Sequence, residues 1–223
     1  MRAHRVRLGL GCIAICLVLA GCGQGDVDSA DADAASQGAS ESSGSVGDAS
    51  APVIDLYPQV ALETTHGRIT LELDAEHAPV TVRNFLRYVD SGHYDGTLFH
   101  QIDQGYVVLG GSFTADMTEK PAGRPIRNEA ENGLRNVQGS IAMARTADDI
   151  DSSTCQFFVN LADNPALDHQ SLTADGFGYC VFGRVIDGWD VIETIAAIPV
   201  KDTESFPSLP TETVMIRSAK RLR

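Results

Sequence analysis

Ile69, Leu71 and Leu73 alternate with Thr70 and Glu72, the period of a strand with one buried face and one wet face. Gln59 to Glu63 and Arg68 to Leu73 therefore read as two strands. Thr64-Thr65-His66-Gly67 supplies turn residues between them, so the pair predicts a hairpin. The period then changes. Val80, Val82, Phe85, Leu86 and Val89 recur at intervals of two to four, with Arg83, Asn84 and Arg87 interleaved. That stripe predicts a helix opened by Pro79 at a first-turn position and closed by Ser91-Gly92. Short strands are expected near Leu98–Ile102, Tyr106–Gly110, Ser140–Ala144, Gln156–Asn160, Tyr179–Val185 and Thr213–Ser218. A second helix is expected from Trp189 to Ala197, with Val191, Ile192 and Ile195 inward. Ser112 to Gln138 is long and irregular, and a loop of that length is usually functional or pinned by its own contacts. No regular helical crossovers link the strands, so a doubly wound parallel sheet is excluded in favour of an antiparallel barrel or sandwich with a helix at each end.

The first 55 residues do not belong to this pattern. Arg2, Arg5 and Arg7 precede an apolar run from Leu8 to Ala20 that is short of the ~20 residues a bilayer span takes, so residues 1–21 read as an export signal. The run ends in Leu19-Ala20-Gly21-Cys22, similar to the lipobox of bacterial lipoproteins. That resemblance implies cleavage before Cys22, acylation of its thiol and attachment to a membrane facing the periplasm or cell exterior. The alternative is an ordinary secretory signal with an incidental cysteine. Residues 22–55 follow as a Ser/Ala/Gly/Asp segment without Lys or Arg, a composition expected to remain disordered. Residues 56–223, about 165 in number, are long enough for one domain with a single core.

Charge and cysteine content narrow the chemistry. The net charge is −13; without the three signal arginines, 14 Lys and Arg face 30 Asp and Glu. Nucleic-acid binding, which needs a basic footprint, is excluded as an expectation. Cys155 and Cys180 are the domain's cysteines, read as separate buried thiols or as one disulfide. No Cys or His spacing suits zinc, so no metal and no cofactor is expected. Phosphate loops ending in Lys-Ser or Lys-Thr and Gly-x-Ser-x-Gly elbows are absent from the sequence.

What remains is a set of segments: Phe99-His100, Gly105-Tyr106, Gly110-Gly111, Met143-Ala144-Arg145, Gln156-Phe157-Phe158 and Tyr179-Cys180-Val181-Phe182-Gly183. In this order and spacing they resemble the cyclophilin family of peptidyl-prolyl isomerases from about Ala61 to Val214. Asn128-Glu129-Ala130 and Asn132-Gly133-Leu134 are similar to its short bacterial members. The resemblance implies a mainly β fold, an eight-stranded antiparallel barrel capped by two helices. It also implies a monomer that binds proline-containing polypeptides on the barrel's outer wall and catalyses rotation about X-Pro bonds.

Carried over residue by residue, the resemblance makes Phe158 the pocket floor and Gln156 a glutamine lining the site. Tyr106 stands where the family has phenylalanine, and Val107 where it often has methionine. Ala144, Arg145 and Thr146 match the segment whose backbone aligns the peptide. Leu167 matches a pocket leucine, and Tyr179 a position that is histidine or aromatic in relatives. Three positions depart from the pattern. Gln101 replaces the arginine that donates to the twisted amide, Leu109 replaces a glutamine, and Ala166 replaces an aromatic. Two readings follow: an isomerase weakened at Gln101, or a proline-peptide binding module that has lost catalysis. Arg145 is expected as a charge on the rim, and His100 as structural.

Overall fold

The computed structural model describes residues 55–222. The export signal, Cys22 and the acidic segment lie outside the described residues.

Eight strands form a closed antiparallel barrel in the order β1 (Gln59–Thr64), β10 (Met215–Arg221), β3 (Thr97–Asp103), β4 (Val107–Thr114), β6 (Phe157–Asn160), β5 (Ser140–Met143), β7 (Val181–Asp187), β2 (Arg68–Leu73). The β1–β2 hairpin closes the ring, from Gln59 opposite Glu72 to Glu63 opposite Arg68. Closure leaves no edge strand in the barrel, which removes the unpaired N–H and C=O groups that make open sheets aggregate. The barrel alternative therefore holds over the sandwich.

The helices are α1 (Pro79–Asp90) and α2 (Trp189–Ala196). Phe85 of α1 lies 5.0 Å from Tyr94, 5.5 Å from Phe157 and 5.1 Å from Phe182, ring centroid to ring centroid. Ile192 and Ile195 of α2 join the same interior cluster as Leu62, Ile69, Leu71, Phe99, Ile102, Ile141 and Val159. Each fully buried aromatic or branched side chain contributes about 1.5–3 kcal/mol by leaving water. Trp189 sits at the margin of this core, half-buried, its indole N–H donating to Glu193. A two-residue ribbon, β8 (Val200–Lys201) with β9 (Leu209–Pro210), lies outside the barrel and has no counterpart in the sequence reading.

The long segment between β4 and β5 is pinned by its own contacts. Lys120 reaches the His93 and Asp95 carbonyls, and Gly123 N–H donates to the Tyr88 hydroxyl. Asn128, Asn132 and Asn136 donate to the carbonyls of Gly178, Val181 and Leu167. Both domain cysteines are free buried thiols, so the disulfide reading falls. Burial pushes Cys180 up to about 12, which makes it a poor nucleophile.

Candidate active site

The pattern of strand β6 places the site. Phe157 joins the interior cluster, and Phe158 belongs to a second apolar cluster with Val107, Leu109, Ala142, Ala144, Leu167 and Val181. Successive side chains on a strand point to opposite faces, so this second cluster lies on the outer wall. Register lines the residues up across four strand pairs: Gln101 opposite Leu109, Leu109 opposite Phe158, Phe158 opposite Ala142, and Ala142 opposite Val181. Half-buried Tyr106, Leu134 and Tyr179 border the row. Every apolar residue named from sequence as lining the site therefore falls in or beside one outer cluster.

Gln101 reaches this row through a bulge. Two residues of β3, from Phe99 to Gln101, are matched by one step on β4, from Gly110 to Leu109. His100 is the extra residue, and such bulges re-aim side chains. Phe99 keeps its place in the core while Gln101 joins the outer row. On β4 the matching irregularity passes through Gly111, at φ 97°, where an added Cβ would meet the Phe157 ring at 2.9 Å and the Cys155 carbonyl at 3.0 Å. Only glycine fits that approach.

Gln101 is buried, and its Nε2 donates to Asp103 Oδ2 at 2.8 Å. A carboxylate only accepts, so the bond fixes which end of the carboxamide is nitrogen. Asp103 was not among the residues singled out from sequence. Its signal is the strand period, which puts residues 101 and 103 on one face. Tyr106 follows a tight turn in which its N–H donates to the Asp103 carbonyl. Burial, then the neighbouring Tyr179 phenol and the Asp103 carboxylate, hold its phenol above the usual value of 10.0, so it is a neutral donor.

Phe158 is fully buried and packs edge-on against Tyr179, centroids 5.7 Å apart. Leu167 is seated by a short 3-10 turn, Pro165–Leu167, and accepts from Tyr179 N–H. Ala166 beside it is exposed. The Gln156 carbonyl accepts from Ala144 N–H at 3.0 Å, and its half-buried side chain makes no hydrogen bond to another described residue. Thr146 donates through both N–H and hydroxyl to Ser152 Oγ, which donates to the Asp149 carbonyl.

The expectation for Arg145 is corrected. It is not a rim charge: only 3% of it is exposed. Its guanidinium donates to the carbonyls of Gly178, Thr146, Ala147 and Ala174, at 2.9, 2.8, 3.1 and 2.6 Å, and sits 4.9 Å from the Tyr179 ring centroid. The charge therefore ties the Thr146–Ala147 and Ala174–Gly178 loops together.

His100 is buried, and its Nδ1 has no hydrogen-bond partner. Its ring meets Phe113 and Phe206 edge-on at 4.8 and 6.2 Å. Burial lowers its pKa to about 4, outweighing the Leu98 carbonyl, so it is neutral and structural.

Recesses also occur elsewhere among the described residues. One of about 390 Å³ shares Leu134 and Val181 with the groove, and one of about 460 Å³ lies between Gln104-Gly105 and α2. Neither contains Gln101 or Phe158.

Fold and site together define a closed antiparallel barrel with an apolar, aromatic-floored cluster on its outer wall. Residues 59–221 match the model of the cyclophilin type peptidyl-prolyl cis-trans isomerase/CLD family. The chain is 50% identical over 163 residues to peptidyl-prolyl cis-trans isomerase cyp18 of Streptomyces antibioticus, covering 73% of this chain and 98% of that one. It is 45% identical over 164 residues to peptidyl-prolyl cis-trans isomerase A of Dickeya dadantii, covering 74% and 84%. A cyclophilin type isomerase of Cryptosporidium parvum, solved in the presence of the dipeptide Ala-Pro, superposes with a TM-score of 0.62. It is 26% identical, over 73% of this chain and 97% of that one. The chain belongs to the cyclophilin-type peptidyl-prolyl cis-trans isomerase family.

Proposed function

We propose that the outer groove isomerises X-Pro bonds of exported polypeptides, with Gln101 as the hydrogen-bond donor and at a reduced rate. The carrying observation is the row Gln101–Leu109–Phe158–Ala142, which sets a fixed amide beside an apolar floor. Rotation of a peptide bond meets a barrier of about 18–20 kcal/mol, and no covalent bond breaks. In the twisted state the prolyl nitrogen recovers its lone pair. A groove that grips the ring and donates to that nitrogen favours the twisted amide over the planar one. Gln101 has one amide N–H engaged by Asp103 and a second to offer. That donor is neutral, and charge-assisted hydrogen bonds are roughly twice as strong. A deficit of about 10²–10³ in rate relative to an arginine at this position is the expected scale.

Exchange NMR on a proline peptide with the purified full-length protein tests this reading. Cis-trans exchange is expected above the buffer rate, and Gln101→Arg is expected to raise kcat/KM by about 10- to 10³-fold. Binding without exchange would leave only a proline-peptide binding module.

The reading extends to the N-terminal segment, where Leu19-Ala20-Gly21-Cys22 supports lipid attachment. No helix among the described residues is long and apolar enough to cross a membrane. Acyl chains contribute about 0.8 kcal/mol per buried methylene, so more than one chain on Cys22 would hold the protein on a bilayer. Cys22→Ala is expected to move the protein from the membrane to the soluble fraction. An unchanged distribution would remove the anchor.

A further inference from the structure

We propose that Asp103 makes the groove selective for X-Pro peptides with a cationic residue next to the proline, an inference that rests on the isomerase reading above. Asp103 ends β3 opposite Val107, a member of the outer apolar cluster, and its side chain meets that of Gln101 on the same face. Only Oδ2 is engaged, by Gln101 Nε2. Oδ1 accepts no hydrogen bond from the described residues, and Asp103 is half-buried, so a carboxylate oxygen is left at the groove edge. The Asp103 charge reaches the groove wall, since it contributes to holding the Tyr106 phenol above its ordinary value.

Asp103 forms no ion pair with another described residue. Arg145 is the one basic side chain among the groove residues described above, and its guanidinium is turned inward onto four carbonyls. The remaining polar groups, on Gln101, Tyr106, Thr146, Gln156 and Tyr179, are neutral. A peptide in the groove therefore meets one fixed negative charge beside the reacting bond. A Lys or Arg ammonium or guanidinium on the adjacent residue is attracted to it, and a Glu or Asp is repelled. Two unit charges a few ångströms apart at a protein surface correspond to about a three- to tenfold effect on binding, weakened by salt.

The test uses the full-length protein and two peptide series, Ala-Xaa-Pro-Phe and Ala-Ala-Pro-Xaa, with Lys, Ala and Glu at Xaa. Exchange is measured by NMR at 25 mM and 500 mM sodium chloride. In at least one series kcat/KM is expected to run Lys above Ala above Glu, with a Lys-to-Glu ratio of about three to ten that shrinks at high salt. Asp103→Asn keeps an acceptor for Gln101 and removes the charge, so the ratio should fall close to one whatever happens to the absolute rate. A ratio unchanged in Asp103→Asn, with exchange still catalysed, overturns the proposal and leaves the isomerase reading standing. A ratio that collapses only when Asp148 and Asp149 are both made Asn also overturns it, by placing selectivity in the exposed loop. Absence of exchange for every peptide removes the isomerase reading itself.

Discussion

Arg145 carries a full charge into the groove wall and meets carbonyl oxygens there. The carbonyls come from Thr146 and Ala147 beside it and from Ala174 and Gly178 about thirty residues on, so one planar fork ties two loops together. The Tyr179 ring lies over it and in turn supports Phe158. From sequence, an arginine next to site residues resembles a surface contact, because nothing local reveals which carbonyls will converge on it. Hydrogen bonds from a charged donor contribute about 1.5–3 kcal/mol each when broken one at a time, and neighbouring ones are not additive. Arg145→Ala is therefore expected to lower unfolding stability by about 2–4 kcal/mol in urea titrations and to raise KM with it. Arg145→Lys should recover only part, since an ammonium lacks the fork. If Arg145→Ala raised KM with the urea midpoint unmoved, the side chain would be a direct peptide contact and not a clamp.

At the scale of elements, most of the fold was legible where the apolar period is clear. The bounds of β2 are read correctly from the alternation of Ile69, Leu71 and Leu73, though its expected wet face is not observed, since Thr70 is buried and Glu72 half-buried. α1 is read from its stripe and Pro79. β6 resists the same logic, because Phe157 and Phe158 are both buried and no alternation shows. Its inner face enters the core and its outer face enters the second apolar cluster, so both faces are covered. β4 runs on to Thr114, past the expected stop at Gly110-Gly111, because Gly111 serves a bulge and not a turn. The start of α1 was legible only in position. Ala78 offers no cap, and the first N–H groups, of Val80 and Thr81, donate to the carboxylate of Glu129, far along the chain. Gln101 was legible as a departure from the family pattern. Its partner Asp103 lies at no position matched by the family pattern, and only the strand period links the two residues.

At the scale of the whole molecule, barrel closure depends on long-range pairings such as Val60 with Arg221, which periodicity alone does not show. The resemblance supplied them. One consequence of closure is that the outer side of β3 is itself covered where His100 lies, between Phe113 and Phe206, the latter in the segment between β8 and β9. That burial depresses the folded-state pKa of His100 from 6.5 to about 4. Between those two values the unfolded chain binds a proton at this position and the folded chain does not. Stability therefore rises with pH across the window from about 4 to 6.5 and is lost as the solution is acidified through it. Below about 4 both states are protonated and the effect is complete. A displacement of that size corresponds to about 3 kcal/mol at most. Urea unfolding at fixed ionic strength should show the native protein losing up to that much between pH 7 and pH 4, beyond whatever His100→Phe loses. Phenylalanine keeps the edge-on ring contacts and cannot titrate, and the other ionisable groups are common to both proteins. The difference between the two slopes thus isolates His100, and parallel slopes would mean that the ring is hydrated or partnered in solution. Since His100 is the bulge residue that aims Gln101, the same acid range should reduce isomerisation as the bulge loosens. The proline groove and the acid stability of the barrel thereby share one residue.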